Sequence, residues 1–370
     1  MIKKISPRFI DLSIHDGWKI DSWIFTSVLL IMSFSVIAVF SATNENSLMV
    51  GSHVLRNMIA VGAFVVVSRV RTTYFLQLSF KFYVAVLLML VAVSVCGELR
   101  MGAQRWLNLG LFSFQPSELA KLSVPMVCAL IVYKYGLFNN MRNVALAISA
   151  IALPSLLILK QPDLGTALMV CGSGVAVMLF AGLSWRLIFG ALGAVMAIFP
   201  FIWNYVLKPY QQKRILTVLN PESDPLGAGY HVIQSKAAIG SGGIHGSGWL
   251  NGTQTHLGFI PEQHTDFIFS VIGEEFGFIG VVVLFSLYFM LMARLLYLVI
   301  KLDDIYGKAI IGGVLSILFA YVFVNVGMVT GILPVVGVPL PLISYGGTAT
   351  ISLMLSLGIV SAYSTQKMTR

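Results

Sequence analysis

Apolar residues run through this chain in long blocks, and the polar residues are gathered between them. Ten blocks can be marked, at roughly 22–41, 49–68, 82–97, 119–135, 144–160, 164–181, 185–207, 267–299, 308–329 and 343–363. A helix needs about 20 predominantly apolar residues to cross the hydrocarbon of a bilayer. In lipid it must also satisfy its backbone hydrogen bonds within itself. The pattern therefore predicts an all-α polytopic membrane protein of about ten transmembrane helices. The block at 267–299 is long enough to tilt or to project beyond the bilayer, while 82–97 and 164–181 are slightly short. Residues 9–20 mix Phe, Ile, Leu and Trp with Asp and Lys, which suits a segment lying at the membrane interface within a cytoplasmic tail, 1–21.

Between the seventh and eighth blocks lies one long polar stretch, 208–266. It holds the turn signature Asn220-Pro221-Glu222-Ser223-Asp224-Pro225, an amphipathic run at 230–239 and a glycine-rich run at 240–246. Loops of this length are usually functional, so short interfacial helices and a mobile lid are expected. The whole chain, 1–370, reads as one membrane domain. No internal repeat is apparent, which weakens an inverted-repeat transporter.

Composition narrows the class further. The chain is 57% hydrophobic and 11% charged, far from a soluble domain. A net charge of +9 on a soluble protein would suggest nucleic acid, but here the basic residues cluster between apolar blocks, where they encode orientation. With the N-terminus inside, 15 of the 24 Lys and Arg fall inside and 9 outside, so both termini are expected in the cytoplasm. The nine are Arg56, Arg100, Arg105, Lys121, Lys160, Lys208, Lys213, Arg214 and Lys236. Cations kept outside against the trend point to an anionic ligand at the outer face; for any one of them, snorkelling toward lipid phosphates is the alternative. The three cysteines have neither metal spacing nor a disulfide framework.

Ionisable residues at span depth are costly and are functional hypotheses by default. Asp266 ends the long loop where the eighth block begins. It is either a partly desolvated carboxylate able to act as a base or the N-cap of that helix. Glu118 and Lys121 share a helix face at i,i+3 spacing, as site residues or as a local ion pair with Ser117 as the cap. Asp163 follows Pro162, which suits a helix start as well as a site. Glu274 and Glu275 read as a structural polar contact inside the bundle. The glycine run follows no strand, so a nucleotide fingerprint is rejected. Residues 331–347 hold three prolines with Ser344 and Tyr345, and non-helical backbone at that depth must line a cavity or be buried in protein.

Six stretches together resemble the SEDS family (shape, elongation, division, sporulation), most closely its rod-shape-determining members. They are Gly102-Ala103-Gln104-Arg105-Trp106-Leu107; Phe114-Gln115-Pro116-Ser117-Glu118 with Lys121; Gln161-Pro162-Asp163-Leu164-Gly165-Thr166; Asp224-Pro225-Leu226-Gly227-Ala228-Gly229-Tyr230; His264-Thr265-Asp266-Phe267-Ile268-Phe269; and Gly337-Val338-Pro339-Leu340-Pro341 through Ser344-Tyr345-Gly346-Gly347.

The resemblance implies a peptidoglycan glycosyltransferase that polymerises lipid II at the outer face of the bacterial cytoplasmic membrane and releases undecaprenyl pyrophosphate. It serves cell elongation and rod shape. The implied partners are a class B penicillin-binding protein, which crosslinks the product, and other membrane proteins of the elongation complex. Asp266 is the implied essential carboxylate, while Glu118, Lys121 and Asp163 match other functional positions. Arg105, Arg214, Lys236 and Ser344 join them as expected substrate-binding residues. Mg2+ or another divalent ion is plausible, with no ligand set legible. The competing readings are a lipid II flippase or transporter, and a non-catalytic scaffold for the penicillin-binding protein.

Overall fold

A computed structural model describes residues 20–367, apart from 101–102, 109, 111–112, 137–140, 208, 225–226 and 261. Most of the expected interfacial segment lies outside the described residues, as do Lys208, Gly102, Pro225 and Leu226. The first seven apolar blocks become α1 (Ser22–Ala42), α2 (Ser47–Ser68), α3 (Thr72–Cys96), α4 (Pro116–Tyr135), α5 (Met141–Lys160), α6 (Leu164–Phe180) and α7 (Trp185–Phe201), the last closing in a π-turn. The long loop folds into α8 (Pro209–Leu219), α9 (Ala228–Gly242) and α10 (Thr253–His256). The last three blocks become α11 (Ile268–Lys301), α12 (Ile305–Val329) and α13 (Thr348–Lys367). Between α3 and α4 sits a small antiparallel sheet in the order β1 (Glu98–Arg100), β2 (Ala103–Asn108), β3 (Ser113–Phe114). Among the described residues eight helices are long and apolar enough to cross a membrane, and α6 and α7 are shorter apolar helices of 17 residues each. The chain is an integral membrane protein.

Two boundaries differ from the hydropathy reading. Helix α3 starts ten residues early, and its extension is held to the bundle at the buried Ser79, whose Oγ lies 2.6 Å from both the Phe75 carbonyl and the Tyr306 hydroxyl. The final helix starts at Thr348 rather than at 343, because residues 331–347 stay non-helical.

Helix α4 is the hub, with 83% of its apolar window buried against 22% for α2. Lipid supplies no hydrophobic drive for helix association, so close packing of small residues does the work. A Cβ at Gly313 of α12 would come within 2.8 Å of Val177 on α6. At the end of the bundle away from the long loop, Asp21 caps α1 by accepting from the Ile24 amide at 3.1 Å. The same carboxylate accepts from Arg294 of α11 at 2.6 and 3.1 Å and from Ser364 of α13. One buried carboxylate thereby ties three helices.

The glycine run crosses a break in α11. Gly277 has φ +62°, and there the helix ladder opens. The freed Glu274 and Glu275 carbonyls accept from Ser247 N (2.9 Å) and Gly248 N (3.1 Å), while Phe278 N and Ile279 N donate to the Gly243 and Ile244 carbonyls at 2.9 and 3.1 Å. The loop thus repairs a broken helix by backbone pairing, which requires very close approach: a Cβ on Gly246 (φ +82°) would overlap the Glu275 carbonyl. Glu274 adds a clamp, accepting from Gln254 N (2.7 Å), Thr255 N (3.0 Å) and Thr255 Oγ1 (2.7 Å). The structural reading of Glu274 and Glu275 agrees with these contacts. Gly246→Ala is expected to destabilise the protein by about 1–3 kcal/mol, since it combines a left-handed backbone with a clash. A thermal unfolding midpoint in detergent equal to that of the native protein would argue against this splice.

Candidate active site

Six separate stretches meet at the long-loop end of the bundle. Gln263 Nε2 reaches the Ala42 carbonyl (2.9 Å), Arg105 reaches Gln161 and Pro162, Arg214 reaches Val335 (3.1 Å), and Tyr345 N donates to the His264 carbonyl (2.9 Å). Together they enclose a cavity of about 720 Å³ whose walls include Arg105, Gln115, Glu118, Lys121, Asp163, Arg214, Glu262, Asp266 and Tyr345. Residues 334–339 and 345–347 form one side, so the non-helical segment does line a cavity.

Asp266 stands at the junction of this cavity and a smaller chamber of about 320 Å³. The chamber is lined by Lys213, Arg214, Asp224, His231, Glu262 and Gly337, among others. The structure separates its two sequence readings: Phe267 occupies the N-cap position of α11, without a side-chain cap bond. Among the described residues no donor holds the Asp266 carboxylate. One of its oxygens lies against Gly337, where an added Cβ would be 3.3 Å away. Gly337 has φ +70°, so glycine both permits the turn and leaves the carboxylate room. Burial, then the Glu262 charge, push the Asp266 carboxyl up to about 6, with Arg214 opposing and Asp163 adding.

Glu118 and Lys121 are both buried and paired at 2.7 Å. Tyr321 of α12 completes the unit, accepting from Lys121 and donating to Glu118 at 2.8 Å. The pair is local, as one sequence reading held, yet both residues line the cavity. Ser117 is not the cap: Gln115 holds that position, and among the described residues Ser117 Oγ is buried without a partner. Asp163 is cap and cavity wall at once, accepting from Thr166 N (3.1 Å) and Gln115 Nε2 (3.1 Å) with Arg105 3.9 Å away.

The remaining expected site residues divide. Arg214 lines both cavities. Ser344 points into the protein, donating to the Thr265 carbonyl (2.6 Å) and accepting from Leu340 N (2.7 Å). Lys236 packs its ammonium end against Gly331. Among the described residues, three of the cations expected outside, Lys121, Arg105 and Lys213, pair with acidic groups, the last with Asp224 at 2.8 Å. Sequence reasoning did not single out Glu262, His231 or Tyr321. The first sits four residues before Asp266 in the same polar turn, and Tyr321 is a hydroxyl in an apolar run. For His231 no local signal exists; its ring stacks on Phe267 at 5.6 Å only through tertiary packing.

Among the described residues no group of three or more His, Cys, Asp or Glu could hold a metal ion. Mg2+ commonly takes one or two carboxylates and fills its shell with water and substrate phosphates. Asp163 on the cavity wall fits that lesser demand.

Beside the polar cavity runs an apolar groove of about 980 Å³ between α3 and α5, lined by residues such as Leu87, Val91, Leu153 and Leu157. Lys160 borders it, and Pro162, Leu164 and Gln211 belong to both groove and cavity.

The FtsW/RodA/SpoVE family model, described as a cell cycle protein, matches residues 18–369. The Escherichia coli K12 peptidoglycan glycosyltransferase MrdB is 43% identical over 352 residues, 95% of each chain. A chain solved in work on the structural coordination of polymerization and crosslinking by a peptidoglycan synthase complex superposes with a TM-score of 0.83 at 32% identity, covering 93% of this chain and 97% of that one. The crystal structure of Thermus thermophilus rod shape-determining protein RodA gives a TM-score of 0.68 at 28% identity, covering 93% and 96%.

Proposed function

The chain belongs to the FtsW/RodA/SpoVE family, and from that premise we propose that it is a peptidoglycan glycosyltransferase that polymerises lipid II, with Asp266 as its base. One observation carries the assignment of the base: a half-buried carboxylate without a donor among the described residues, at the junction of two cavities, one of them lined by Arg105, Lys121 and Arg214 and bordered by an apolar groove. Orientation follows from the Lys and Arg count, with both termini cytoplasmic and the cavity opening outward.

The reaction then runs as one displacement. The GlcNAc 4-hydroxyl of one lipid II loses its proton to Asp266 as its oxygen bonds to the anomeric carbon of the other substrate. The bond from that carbon to the pyrophosphate oxygen breaks, with inversion. Negative charge grows on the leaving undecaprenyl pyrophosphate, and cations lining the cavity stabilise it electrostatically. Arg214 and Arg105 are placed for this, and Lys121 contributes from within its pair. If a divalent ion takes part, Asp163 is the cavity carboxylate that would hold it, and it would add charge stabilisation to the pyrophosphate. The apolar groove suits a polyprenyl tail, with Lys160 and Pro162 where tail meets headgroup. The class B penicillin-binding protein is the partner that would crosslink the strands, in an elongation complex.

The deciding experiment reconstitutes the purified protein in liposomes with lipid II, alongside its penicillin-binding partner with the transpeptidase blocked. Glycan strands support the reading. Strands absent from folded protein with verified substrate would favour a flippase or a scaffold instead.

The raised carboxyl also predicts a pH profile. Asp266 must be ionised to accept a proton, so kcat/KM should fall toward acid with a midpoint near 6. Because the Glu262 charge raises that value, Glu262→Gln should move the limb to lower pH. A limb unmoved by Glu262→Gln would detach it from Asp266.

A further inference from the structure

Three consecutive carbonyls around the carboxylate are each held by a different group from α12 or the segment after it. The His264 carbonyl accepts from Tyr345 N (2.9 Å), the Thr265 carbonyl from Ser344 Oγ (2.6 Å), and the Asp266 carbonyl from Asn325 Nδ2 (2.8 Å). Asn325 differs from the other two. It is fully buried within α12, a span of otherwise apolar character, where a polar side chain is costly. Its one amide nitrogen has two hydrogens, and they go to different segments: one to the Asp266 carbonyl, the other to the Val338 carbonyl at 2.7 Å. Val338 follows Gly337, against which the Asp266 carboxylate rests. The amide therefore fixes both walls of the gap in which the carboxylate sits. Among the described residues its Oδ1 is buried without a partner, so what the side chain offers there is its donors.

We propose that Asn325 is a positioning residue for the glycosyl transfer, a donor staple that holds the Asp266 backbone and the 337–338 turn at one fixed separation and so aims the carboxylate into the cavity. It does not touch substrate: Asn325 is absent from the lining of either cavity. The proposal rests on the reading of Asp266 as the base. Loss of the staple should act on turnover more than on substrate affinity, because the binding cations lie elsewhere. A misplacement of about 1 Å at a reacting group costs on the order of 100-fold.

The test compares native protein, Asn325→Leu, Asn325→Ser and Asp266→Asn in the same lipid II polymerisation assay, with active-site concentration and thermal midpoint measured for each. Leucine keeps the shape without donors. Serine retains one donor and is the second variant should leucine fail to fold. For either folded variant we expect kcat lowered about 100-fold (less for serine), KM within about threefold of native, and the acid limb of the kcat profile displaced. A purely structural role would lower the folded fraction while leaving kcat per folded molecule and the limb unchanged, and that result overturns the proposal. So does native-like kcat in folded Asn325→Ser, or full activity in Asp266→Asn. An inactive native protein would instead sink the glycosyltransferase reading itself.

Discussion

Replacing Asp266 with asparagine is expected to lower lipid II polymerisation by about 1000-fold or more while leaving the thermal midpoint close to native. General base catalysis contributes roughly 10²–10⁴-fold, and the amide cannot take the proton. The expectation of intact folding has a structural reason. Among the described residues the carboxylate has no donor to lose, and it is not the cap of α11. What anchors this turn is backbone, through the carbonyls of residues 264, 265 and 266, which asparagine leaves in place. Removing a negative charge from a buried site beside Glu262 should, if anything, ease local repulsion. Glycan products would be resolved by size for native and variant protein at matched folded concentration. Chains of normal length from the variant would move the base elsewhere and leave the enzyme standing.

The second large effect concerns the buried pair beneath the cavity. Lys121→Met is expected to destabilise the protein by about 3–5 kcal/mol, because it strands the Glu118 charge in the interior. Glu118→Gln, which strands the ammonium, should cost a similar amount. The double variant Glu118→Gln/Lys121→Met should recover most of that loss, since a neutral amide and a thioether of matching size need no counter-charge. The coupling between the two sites, read from four thermal midpoints, is the measurement; midpoints that simply add would deny the pair any buried electrostatic role. Activity should part company with stability here. The restored double variant remains a poor enzyme, because Lys121 lines the cavity and its charge is not replaced. A stable and fully active double variant would make the pair purely architectural.

These two cases show how differently neighbouring charges can be used. Both Asp266 and Glu118 were visible in the sequence as carboxylates at the ends of spans, each with a capping or pairing alternative. For Glu118 the local alternative is true and the cavity role is added to it. For Asp266 the cap is absent. Asp163 does both, capping α6 while forming cavity wall. Spacing along the chain cannot separate these outcomes, because a cap and a cavity wall occupy the same helix end.

The ten apolar blocks, the membrane class and the long polar loop could be read from the sequence alone. Crossing a bilayer is a local demand: about 20 apolar residues in a row satisfy it whatever the rest of the chain does. The motif-bearing stretches could be read too, since each is contiguous. Only the tertiary structure decided that the glycine run mends a break in α11, that Tyr321 joins Glu118 and Lys121, and that Ser344 faces inward. The two-way reach of Asn325 belongs to the same class. Each of these is a contact between residues far apart in the chain, and hydropathy reports a residue's preference for lipid over water but not its neighbours. The Asp266 carboxylate, without a donor among the described residues, is the clearest instance, because what surrounds it is set by segments distant in the chain.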